Sequence, residues 1–192
     1  MKRLIRSGHL LAAATIATLA AWPLAQIAAA GPLKPVVPTA LQVPAGNKVL
    51  LVGHAVGVQI YVCSTTAGAN HWDFVEPQAD LYTSSGKLLA KHFAGPTWQA
   101  NDGSAVVGRV VARVTVDTTA IPWLLLAAAS TAVGTDGDRL VDTTYIQRIA
   151  TSGGLAPAAA DCNASRAGTS VGVPYTADYY FWEAQEEIRD EL

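Results

Sequence analysis

The sequence predicts an all-β fold, a single-domain sandwich or barrel of about nine or ten short antiparallel strands. Three observations predict it. With 192 residues, 51% of them apolar and 15% charged, the chain has room for one domain and enough apolar side chains to fill a core. Runs rich in β-branched residues alternate with polar ones at a period of two. Clusters of turn-forming residues separate those runs at close intervals.

Taken from the start, residues 1–30 carry Lys2, Arg3 and Arg6 and then no Lys, Arg, Asp or Glu through Ala30. This is the pattern of a secretory signal peptide, with Ala28-Ala29-Ala30 offering small side chains at a cleavage point after Ala30. Lys2-Arg3 is not a twin-arginine pair, so the general secretory route is expected. Cleavage removes three of the thirteen basic residues and none of the fifteen acidic ones, leaving ten against fifteen, a net charge of −5. No transmembrane anchor is expected to survive cleavage. The location expected for the mature protein is secreted or periplasmic.

Residues 31–44 contain Pro32, Pro35, Pro38 and Pro44. Proline fixes φ and removes a backbone donor, so this segment is expected to run extended as a tether or edge segment. A β-rich domain is expected over 45–182. Its first strands are Lys48–Val52 and Val58–Cys63, separated by glycines suited to turns or bulges. Further strands are expected at His71–Val75, Ala79–Thr83 and Lys87–Phe93, the last two forming a hairpin across Ser84-Ser85-Gly86. Asn101-Asp102-Gly103-Ser104 is a strong turn signal. In Arg109–Asp117 the residues Val110, Ala112, Val114 and Val116 alternate with Arg109, Arg113, Thr115 and Asp117, which predicts one buried face and one wet face. Ile121–Ala129 is an unbroken apolar run, read as a strand because of its length and Pro122. Tyr175–Phe181 places Tyr175, Ala177, Tyr179 and Phe181 on one face. Between Ala150 and Pro174 lies a Gly/Ala/Ser/Pro-rich crossing with neither period. Residues 183–192, with Glu183, Glu186, Glu187, Asp190 and Glu191 against Arg189, form an acidic tail or short surface helix. The final Arg189-Asp190-Glu191-Leu192 is read as a chance likeness to a retention signal.

Cys63 and Cys162 are the two cysteines, and an even pair in an oxidising compartment predicts a disulfide. It would pin the middle of the long crossing to an early strand. No dinucleotide fingerprint, phosphate loop, nucleophile elbow, zinc-protease helix or calcium loop is present, so no cofactor is expected. The net charge excludes a nucleic-acid footprint. His54, His71 and His92 lack the spacing of a metal signature, and no metal site is expected. No motif specifies an oligomeric state.

The aromatic residues give the best lead to a binding site. Trp98 sits in a segment dense in turn formers and amides, and Trp beside polar side chains makes a stacking platform for sugars or other flat ligands. The expected contact set is Trp98, Gln99, Asn101 and Asp102, with His54, His92, Tyr145 and Gln147 as neighbours. The leading expectation is an exported binding or envelope-associated domain for a glycan or small molecule, leaning away from catalysis. The alternative is a hydrolase or isomerase in which Asp102 orients His92 as general base.

Several separated segments, Leu41–Gly46, Gly57–Cys63, His92–Ser104, Thr144–Arg148 and Val173–Phe181, resemble in order an exported bacterial and fungal family known as domain of unknown function 3455. The resemblance spans Leu41 to Trp182. It implies an exported protein of unassigned role and carries no catalytic residues across.

Overall fold

A computed structural model describes residues 31–185. The export segment expected over 1–30 and most of the acidic tail lie outside the described residues. Eight strands form: β1 (Asn47–Thr66), β2 (Ala69–Tyr82), β3 (Leu88–Phe93), β4 (Thr97–Ala100), β5 (Ala105–Val114), β6 (Trp123–Ala132), β7 (Thr143–Gly153) and β8 (Ser170–Ala184). Each pairs antiparallel with its neighbours in chain order, and β8 returns to β1, which closes the sheet into an up-and-down barrel. Closure removes both sheet edges, so no strand is left to template aggregation.

The strands are fewer and longer than expected. Lys48–Val52 and Val58–Cys63 belong to one 20-residue strand, and His71–Val75 and Ala79–Thr83 belong to one 14-residue strand. Gly53 and Gly57, read as a break in the first pair, instead allow close packing on the inner face. A Cβ at Gly57 would lie 2.2 Å from the Gln78 carbonyl oxygen and 2.5 Å from Ala79. The hairpin across Ser84-Ser85-Gly86 forms, with Thr83 N donating to the Lys87 carbonyl at 2.8 Å. Thr97–Ala100, read as part of a turn region, is the short strand β4.

Inward-facing rows from all eight strands build the core, including Ala55, Leu81, Ala90, Trp98, Val106, Leu126, Ile146 and Phe181. Burying each large member of such a set stabilises by roughly 1.5–3 kcal/mol. Gly108 has a packing role: a Cβ there would meet both Trp98 and Leu126 at 3.0 Å, so its absence makes room for the indole. The expected buried and wet faces of Arg109–Asp117 do not run the length of β5. Val110 pairs with Leu126 and Ala112 with Leu125, so Val111 is a bulge. The extra residue reverses the phase, and the exposed Arg113 joins Val110 along the rim of a cavity at one end of the barrel.

Because the strands run up and down, the turns gather at two ends. One end is closed by the β4–β5 turn and the β6–β7 connection. Asp102 carries this closure: its carboxylate accepts from Ser104 N at 3.0 Å, Ser104 Oγ at 2.6 Å and Arg139 N at 3.0 Å. Ser104 Oγ in turn accepts from Leu140 N at 3.2 Å, which seats the fully buried Leu140 as a plug. Asp102→Ala is expected to lower stability by about 1–3 kcal/mol, read as a lower urea midpoint with an unchanged slope. An unchanged midpoint would show that the turn closes without the carboxylate.

Residues 31–46 cross the outer face. They run without strand structure apart from one 3-10 turn, Thr39–Leu41, whose Leu41 is fully buried. The Leu41 carbonyl accepts from Gln147 Nε2 at 2.7 Å, and Gln147 Oε1 accepts from Trp182 Nε1 at 2.9 Å. The segment is therefore a packed strap that runs from Trp182 of β8 across Gln147 of β7, with its 3-10 turn against β5 and β6. Glu183, read as the first residue of the tail, lies within β8 and pairs with Lys48 at 3.3 Å. Cys63 and Cys162 are joined, with Cα atoms 5.3 Å apart, and fasten the crossing between β7 and β8 to β1. Among the described residues no helix is long and apolar enough to cross a membrane.

Candidate functional site

The end of the barrel opposite Asp102 holds a cavity of about 460 Å³. It lies among the middle of β1, the β3–β4 turn, the end of β5, the start of β6, Arg148 of β7 and Tyr179 of β8. Its floor is aromatic. Trp98 and His92 are cross-strand partners, and their rings stack with centroids 4.3 Å apart and planes 3° from parallel. Tyr179 meets Trp98 edge-on at 5.3 Å, and Phe181 does so at 6.0 Å. The mouth is apolar and open to solvent through Phe74, Val75 and Val110, which are 53%, 52% and 37% exposed. Phe74 reaches the site because Val75 is a bulge: Tyr61 pairs with Phe74 and Ile60 with Glu76.

Polar groups are few and specific. Gln59 and Trp98 are 3% and 1% exposed, and Gln59 Nε2 and Trp98 Nε1 are buried without a hydrogen-bond partner. The Gln59 amide lies against the Tyr175 hydroxyl, which also contacts the Tyr179 hydroxyl at 3.4 Å. The Tyr61 hydroxyl donates to the Gly154 carbonyl at 2.7 Å. Arg148 donates to the Pro122 carbonyl through Nε at 3.2 Å and Nη2 at 2.8 Å. His92 Nδ1 donates to the Thr97 carbonyl at 2.9 Å, which fixes the neutral ring with Nε2 bare. Burial lowers its pKa to about 3, the Thr97 bond opposes that, and the charge of Arg148 adds to it.

Of the residues expected at a site, only Trp98 and His92 line this cavity. Gln99 points outward on β4, where its Nε2 lies 3.5 Å from the Gly103 carbonyl, and Asn101 Nδ2 donates to the Leu88 carbonyl. Asp102 lies at the closed end with Ser104 and Arg139, so the expected His92–Asp102 pair does not form. Its carboxyl is held below the usual range by the bond from Ser104, which marks a structural anion. His54 faces outward and pairs with Asp178 at 2.7 Å. Tyr145 and Gln147 face outward on β7, opposite the row of Ile146 and Arg148. His71 pairs with Asp73 at 3.3 Å on the long β1–β2 hairpin, so the three histidines stand in three different places.

Gln59, Arg113, Arg148 and Tyr179 were missed by reading the chain. For Arg148 a signal was there. It is the one charged residue of β7, two positions from the fully buried Ile146 and so on the same face of the strand.

The family model described as "Protein of unknown function (DUF3455)" matches residues 44–183, which takes in every strand of the barrel. The chain belongs to this family. The DUF3455 match begins near the end of the strap and closes within β8, so the cavity and its lining lie inside the family domain. No curated protein and no solved structure matches the chain.

Proposed function

We propose that this DUF3455 barrel is an exported container that binds one small, flat, mainly apolar molecule in its open end. The observation that carries the reading is the cavity of about 460 Å³ at the open end, with the stacked Trp98 and His92 rings as its floor and Phe74, Val75 and Val110 at its mouth. Eight-stranded barrels enclose a space of the size that suits one small ligand. Apolar walls with a few placed polar groups are the general pattern of small-molecule sites. A glycan fits less well, because its ring of hydroxyls needs more partners than this wall supplies. The hydrolase alternative has no pair to run on, since His92 and Asp102 are committed to other partners at different ends of the barrel. Export is supported by the leader pattern in the sequence and by the Cys63–Cys162 bridge, which suits an oxidising compartment.

The test uses N-phenyl-1-naphthylamine, a neutral dye whose emission rises in apolar surroundings. Wild type is expected to bind it at one saturable site, and Val110→Trp, which fills the mouth, is expected to weaken that binding by about tenfold or more. Circular dichroism and the melting temperature should be preserved in the variant. Saturable binding that Val110→Trp leaves intact, or a melting shift from cello-oligosaccharides with none from the dye, would overturn the reading.

A further inference from the structure

The cavity's charge is one-sided. Two guanidinium groups, the exposed Arg113 of β5 and the half-buried Arg148 of β7, line it, and among the described residues no Asp or Glu does. The ion pairs among the described residues join Lys48 to Glu183, His54 to Asp178, His71 to Asp73 and Lys91 to Asp80, and include neither arginine. Nor does the wall supply an anion of another kind. Burial raises the Tyr175 and Tyr179 hydroxyls well above the usual phenol range, so both stay protonated and neutral. His92 is neutral as well. Arg148 is half-buried; its Nε and Nη2 donate to the Pro122 carbonyl, and its guanidinium also lies against the Tyr179 hydroxyl. A guanidinium in such a place gains from a carboxylate, because charge-assisted bonds are about twice as strong as neutral ones and the two groups match in a fork.

We propose that the molecule held here is an organic acid of bicyclic aromatic or similar size, with its carboxylate against Arg148 and Arg113 and its apolar body over Trp98. This rests on the container reading above and adds the charge of the occupant. The apolar mouth of Phe74, Val75 and Val110 accepts the ring system.

The experiment compares 2-naphthoate with 2-naphthamide, two ligands of nearly equal shape that differ by one charge, by calorimetric titration at neutral pH. Wild type is expected to bind the acid about tenfold or more tighter than the amide. Arg148→Met should erase that preference and leave amide binding in place. Arg113→Gln should reduce the preference in part, and Arg166→Gln, on the exposed crossing, should not change it. Equal affinity for the two ligands in wild type overturns the acid and leaves the container standing. Binding of neither overturns both. If Arg148→Met loses both ligands through misfolding, Arg113→Gln decides, since the Arg113 side chain is exposed and makes no hydrogen bond among the described residues. An unchanged acid-to-amide ratio in that variant overturns the proposal.

Discussion

Opening the Cys63–Cys162 bridge, by reduction or by Cys63→Ala with Cys162→Ala, is expected to lower the melting temperature by about 10–19 °C. The two residues are 99 positions apart, so the bond closes most of the barrel's chain into one loop. On the chain-entropy argument a loop of that length restricts the unfolded state by about 4.7 kcal/mol, and each kcal/mol moves the midpoint of a domain this size by about 2–4 °C. The native side adds a local reason. The crossing between β7 and β8 contains the 3-10 turn Ala159–Asp161 and no strand, and its few ties to β1 include Gly168 N to the Cys63 carbonyl and Cys63 N to the Thr169 carbonyl. Those bonds hold residues next to β8, whereas Cys162 holds the middle. Calorimetry with and without reductant checks this, and a midpoint moved by less than about 3 °C would mean that the crossing and the barrel hold without the bond.

How much of this was legible in the sequence depends on the range over which each feature is decided. The disulfide needed only a count of two cysteines and an oxidising compartment. The inner face of β8 was legible because Tyr175, Ala177, Tyr179 and Phe181 obey the strand period without interruption. The choice of a closed barrel over a sandwich was not, because closure depends on β8 meeting β1, a pairing that no local pattern records. The strand count failed at Gly53 and Gly57. A glycine that ends a strand and a glycine that lets two chains approach look alike until the neighbouring strand is known. The bulges at Val75 and Val111 set which side chains enter the cavity, so Phe74 and Arg113 were invisible as site residues. Trp98 was found for a partly wrong reason. Its amide-rich neighbours Gln99 and Asn101 alternate or turn away from it, and its true companions come from distant strands.

Acid is expected to unfold the barrel chiefly through His92, the second large effect. In the unfolded chain this imidazole titrates near 6.5, and in the barrel burial, reinforced by Arg148, holds it at about 3. Above pH 6.5 the ring is neutral in both states and costs nothing. Between 6.5 and 3 the unfolded state takes up a proton that the native state does not, so stability falls as the pH falls. At about 1.4 kcal/mol for each tenfold change, the full interval amounts to on the order of 4–5 kcal/mol. The native ring cannot escape by accepting the proton cheaply. Its Nδ1 already donates to Thr97, its faces are covered by Trp98 and Tyr179, and the nearby charge is the cation of Arg148. Asp102 and Asp117, held low by their bonds from Ser104 and Thr119, also lose stabilising contacts in acid, so wild type alone does not isolate the histidine. His92→Phe does. It keeps an aromatic ring against Trp98 and gives up the Thr97 bond, which lowers stability at neutral pH by about 1 kcal/mol. Urea denaturation at pH 7 and pH 4 is expected to show a steep loss for wild type and a much shallower one for His92→Phe. Parallel losses in the two proteins would place the acid sensitivity in the carboxylates and leave the buried imidazole without a part in it.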